Sequence, residues 1–91
     1  MPLQHVNSLV GTSPRLLVKI PTTVNPVAVQ IFNNTGSTIY VGDATVGVTG
    51  STVGNAIATA ASLQVWLQQK DELYVVCATA PAGYVSVIYS A

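Results

Sequence analysis

Charge is the scarcest property of this 91-residue chain. Arg15, Lys19 and Lys70 stand against Asp43, Asp71 and Glu72, giving zero net charge and 7% charged residues, where soluble domains carry ~25%. Phosphate binding needs several clustered cations, so the composition argues against nucleic acid as a partner and equally against a membrane surface. Imidazole and thiol are as rare, each represented once, by His5 and Cys77. Catalysis needs titratable groups that converge. Asp71 and Glu72 are adjacent, which on a strand sends them to opposite faces, and any serine nucleophile would have only His5 as its base. His5 has no Cys, His or carboxylate at ligand spacing. The expectation is therefore no enzyme, no catalytic residue, no metal and no cofactor.

Other absences narrow the class further. One cysteine cannot form an internal disulfide, and Cys77 lies in the apolar run 73–78, which reads as a buried reduced thiol. Residues 1–13 hold no basic segment followed by an apolar one, so no secretory signal is expected. Residues 44–69 are free of charge but interrupted by Gly47, Gly50, Gly54, Asn55 and Gln64, well short of the ~20 consecutive apolar residues of a membrane span. A chain of this length buries a single small core.

What remains is 49% hydrophobic, and most of it alternates with period two. Residues 27–43 read as a β-hairpin: Val27, Val29 and Ile31 share one face, Ala28, Gln30 and Phe32 the other, and Asn33-Asn34-Thr35-Gly36 turns the chain into a returning strand over 38–41. Residues 14–20 form a half-exposed strand with Leu16, Val18 and Ile20 on one side, its Arg15 and Lys19 guarding an edge. Residues 21–26 connect it to the hairpin. Residues 45–54 read as a loop or irregular strand, and 55–61 as either helix or extended chain. Leu63, Val65 and Leu67 alternate with Gln64, Trp66 and Gln68; residues 69–72 are a solvated turn. Strands over 72–79 and 84–89, joined by a turn at 80–83, complete the core and are apolar on both faces, which implies that their second face is covered as well, by another subunit in so short a chain.

The expected fold is all-β: a single small antiparallel β-sandwich or barrel of about six to seven strands over 14–91, preceded by an N-terminal arm over 1–13. Gly47 to Gly54 lacks the spacing and the lysine of a phosphate-binding loop. Asn33-Asn34-Thr35 matches a glycosylation acceptor but reads more simply as a turn, and Asp43 as an acceptor for turn amides. Trp66 is open to three readings: a sugar-stacking platform, an interface anchor, or an aromatic lying over its own core.

Asn34-Thr35-Gly36, Ile39 to Asp43, Asp71 to Ala78 and Gly83 to Ile88 together resemble a pattern in small structural proteins of tailed-phage virions, of the head decoration or cement type. The resemblance implies a virion structural protein on the capsid surface that self-associates, as a trimer in the first instance, and contacts the major capsid protein. Phe32, Tyr40, Trp66, Tyr74 and Tyr84 are the candidate interface residues, and a carbohydrate- or receptor-binding β-sandwich is the competing function.

Overall fold

The computed structural model describes residues 3–20, 26–68, 70–79 and 83–90. Eight strands follow in chain order: β1 Leu3–Leu9, β2 Arg15–Lys19, β3 Val27–Asn34, β4 Ile39–Gly42, β5 Asn55–Ile57, β6 Ser62–Leu67, β7 Glu72–Cys77 and β8 Tyr84–Ser90, with one 3-10 turn at Gly50–Thr52. They form two antiparallel sheets, β1-β8-β3-β6 and β2-β7-β4-β5, here called sheet A and sheet B. The fold is thus the expected all-β sandwich, with eight strands and no closed barrel. Strand 1 pairs with 8, 2 with 7, 3 with 6 and 4 with 5, the order of a jelly roll.

Every second residue points into the space between the sheets, and that set makes the core. Val29, Ile31, Val85 and Val87 of sheet A and Ile39, Val41, Val75 and Cys77 of sheet B are buried. These strands are Val- and Ile-rich because branched side chains fit a pleated surface that is covered on one face. Cys77 is a free, buried thiol, as expected, and its Sγ donates to the Thr38 carbonyl at 3.2 Å.

Three local expectations are corrected. Residues 27–43 are not a hairpin: β3 pairs with β6 and β8, β4 with β5 and β7, and the connection crosses between sheets. Hairpin and crossing demand the same inward alternation, so period alone does not separate them. What decides it is that neighbours from elsewhere in the chain occupy both flanks of each strand. For the same reason β7 and β8 lie in different sheets; residues 80–82 of the expected turn between them fall outside the described residues. The stretch expected as an arm forms β1 and runs the whole length of β8, from Leu3 opposite Ser90 to Leu9 opposite Tyr84. Its inward residues, Gln4, Val6 and Ser8, are too polar to give a periodic signal; ladder pairing sets the strand.

Smaller shifts have equally local causes. A bulge between Leu16 and Val18 breaks the phase of β2, so Leu17 and Val18 are both buried and Leu16 is left exposed. Residues 55–57 are strand, which removes the helical reading, and Ala60 turns the chain with φ 64°. Pro26 directly precedes β3, while residues 21–25 of the expected connection lie outside the described residues.

Candidate functional site: the outer face of sheet A

The register fixes what each side of sheet A shows. On the side away from the core, His5, Ile88, Gln30 and Gln64 form one cross-strand row and Asn7, Ser86, Phe32 and Ser62 the next. The Ser86 hydroxyl donates to Asn7 Oδ1 at 2.7 Å within the second row. Leu9 and Tyr84 flank these rows at one end, Ala28 and Trp66 at the other. None of the four strands contains Lys, Arg, Asp or Glu.

The same face collects exposed apolar groups. Of the eight large hydrophobic side chains exposed among the described residues, six belong to it: Leu3, Leu9, Phe32, Trp66, Tyr84 and Ile88. Trp66 is 66% exposed, which removes the reading that it lies over its own core. Two shallow depressions of about 280 and 350 Å³ run over this surface, and Ile88 and Gln30 line both.

Sheet B differs. Of the five candidate interface residues, Phe32, Trp66 and Tyr84 share the outer face of sheet A, whereas Tyr40 and Tyr74 stand on the outer side of sheet B and are half-buried. Val76, in register with Tyr40, is buried although it points away from the core. Lys19 pairs with Glu72 at 3.5 Å across β2 and β7, with both side chains well exposed.

Two polar clusters, around Asn33 and Asp43, are spent on structure. Asn33 is fully buried where β3 leaves sheet A. Its Nδ2 donates to Ser37 O at 2.7 Å and to Ile57 O, on β5 in sheet B, at 2.8 Å; its Oδ1 accepts from Thr35 N at 3.0 Å and lies 2.7 Å from the Thr35 hydroxyl. Both amide protons are donated and Oδ1 accepts from the Thr35 backbone, so the acceptor asparagine of the glycosylation pattern is sealed in the corner between sheets. Gly83 closes against this corner: a Cβ there would sit 2.8 Å from Thr35 Cα. A Leu or Val at 33 would read as ordinary core; a polar residue at an inward position is the sequence signal for this corner.

Asp43 accepts from the Thr45 hydroxyl at 2.7 Å and the Thr45 amide at 2.9 Å, the turn role expected of it, and these bonds hold its carboxyl below the usual range. It borders a cleft of about 350 Å³ lined by Gly42, Thr45, Val46 and residues 51–55. That cleft brings no base, cation or thiol to the carboxylate. Among the described residues no three His, Cys, Asp or Glu side chains gather as metal ligands, and no helix is long and apolar enough to cross a membrane.

No protein-family model and no curated protein matches the chain. Among solved structures, it is similar to a subunit of Bacillus endospore appendages, described as a novel family of disulfide-linked pili. The TM-score is 0.57 at 19% identity, over 97% of this chain and 83% of that one. At this identity the likeness is one of fold.

Proposed function

We propose that this chain is a non-enzymatic structural subunit that associates with copies of itself at the outside of a particle or cell. The observation that carries the reading is the outer face of sheet A, uncharged and carrying six of the eight exposed large hydrophobics. Isolated exposed hydrophobics are ordinary, but their concentration on one uncharged face favours an interaction surface, and exposed Trp and Tyr are favoured anchors of interfaces. Four strands at ~4.8 Å spacing and seven residues at ~3.4 Å give a face of roughly 19 by 24 Å, of the order of one ordinary interface. A face without charge repels its own copy weakly and offers nothing to a strongly charged partner.

The fold shared with an appendage subunit supports a polymeric setting. Its chemistry would differ from that of disulfide-linked pili: Cys77 is the only cysteine in this sequence and is buried, so disulfides are not what would join its copies. A second setting, decoration of a phage capsid by a trimer seated on the major capsid protein, is favoured by the resemblance of residues 34–36, 39–43, 71–78 and 83–88 to head decoration proteins.

Light scattering and native mass measurement across concentration test the common claim, with species above the 9.4 kDa monomer expected and unaffected by a reducing agent. A monomer at every concentration would overturn it. Filaments grown from the pure protein would favour the appendage setting, and co-sedimentation of a closed oligomer with capsids the decoration setting. Glycan binding abolished by Trp66→Ala, with assembly unchanged, would favour the carbohydrate-binding function instead.

A further inference from the structure

The edges of the two sheets are treated differently by the sequence. An edge strand presents unpaired amides and carbonyls, and β proteins normally blunt it with Lys, Pro, a bulge or shortness. Sheet B has these devices on both sides. β2 carries Arg15 and Lys19 and is broken by a bulge, while β5 is three residues long. Sheet A has none of them: β1 and β6 are seven and six residues long, contain no charge and no proline, and keep an unbroken register on β8 and β3.

We propose that β1 of one subunit pairs with β6 of the next, continuing sheet A from copy to copy. The inference rests on the self-association proposed above and adds an edge contact to that of the outer face. Strand direction fits: all neighbours in β1-β8-β3-β6 are antiparallel, so β1 and β6 run in opposite directions. A copy translated along the sheet therefore brings its β1 antiparallel to β6, with the same alternation of inner and outer faces. Lengths fit as well, six or seven residues giving a seam of about 20 Å. Inner-face packing is incomplete at both edges: Val6, Leu63, Val65 and Leu67 reach the core but are only half-buried, and an added strand covers their open flank. The contact joins two different surfaces, so it generates a ring where the rotation closes and a filament where it does not.

The test uses inward-facing lysines at each edge. In a free subunit such a lysine reaches round the open edge to water; once a strand is added, it is trapped. Val6→Lys caps β1 and Val65→Lys caps β6, with Ser8→Lys and Leu63→Lys replacing them if either loses cooperative melting. Each capped variant alone is expected to show at least a tenfold weaker assembly than the unmodified chain. Mixing the two is expected to give species larger than either alone, since each retains the edge the other has lost. Hydrogen exchange should show amides of residues 3–9 and 62–67 gaining protection on assembly, and those of 15–19 and 55–57 unchanged. Capped variants that assemble like the unmodified chain overturn the edge contact and leave self-association standing. A mixture no larger than its components overturns the β1-to-β6 assignment, and an unmodified chain that never leaves the monomer overturns both.

Discussion

Sheets A and B are written in the same alternating pattern and bury the inner faces of their central strands alike, yet they meet solvent in opposite ways. Sheet B keeps Arg15, Lys19 and Glu72 on its strands, half-buries Tyr40 and Tyr74, tucks Val76 away and closes its edges with a bulge and a short strand. Sheet A exposes Trp66, Tyr84 and Phe32 on a surface without charge and leaves two long edges open. The inner faces of the central strands are constrained by folding alone, so the sheets agree there. Outer faces and edges are constrained by what the molecule meets, and the contrast between them is the functional signal.

The largest effect is expected where the two sheets are tied together. Asn33→Ala leaves Ile57 O and the Thr35 amide without their side-chain partner in a buried corner, while Ser37 O keeps the Thr35 hydroxyl, and each unsatisfied group costs about 1–3 kcal/mol. A loss of roughly 3 kcal/mol in denaturant unfolding is expected, whereas a change below 1 would mean that the corner is not a tie. Gly83→Ala pushes a Cβ onto Thr35, and overpacking of this kind destabilises by about 2 kcal/mol; a melting temperature equal to that of the unmodified chain would contradict the close approach.

On the outer faces the effect moves from folding to association. Phe32→Lys is expected to weaken self-association about tenfold, equivalent to ~1.4 kcal/mol, with folding stability nearly unchanged; Leu16→Lys on β2 should leave association alone, and sedimentation velocity compares them. Lys19→Met removes an exposed pair worth less than about 0.5 kcal/mol, so a small change in the denaturation midpoint is expected, with assembly unaltered because the bulge still guards β2.

The smallest effect concerns Asp43. Its carboxyl titrates below the ordinary range because Thr45 donates to it, hydroxyl first. A depressed folded-state value contributes stability above the ordinary carboxylate range that is lost as pH falls through the folded-state value; full exposure keeps that contribution small. Thr45→Val should return the Asp43 titration, followed by NMR, part of the way upward, since the backbone amide still donates. No movement would show that the hydroxyl does not hold the charge.

The inward sets of β3, β7 and β8 were readable in the sequence because burial on one face of a strand imposes period two. Pairing was not, because a crossing between sheets and a hairpin place the same residues inward. β1 was invisible for a related reason: with Gln4 and Ser8 inward, only its ladder to β8 marks it as a strand. Of the interface candidates, three fell on one face, since Phe32, Tyr84 and Trp66 oppose the inward sets of their strands. Tyr40 and Tyr74 do so as well, but on sheet B, and a single strand's pattern does not say to which sheet it belongs.

The central claim, that sheet A rather than sheet B is the association surface, is tested most directly by sedimentation of two paired variants at equal concentration. Phe32→Lys with Trp66→Lys is expected to remain near the 9.4 kDa monomer, while Leu16→Lys with Tyr74→Lys assembles like the unmodified chain. If the sheet A pair assembles normally and the sheet B pair falls to monomer, the assignment is wrong.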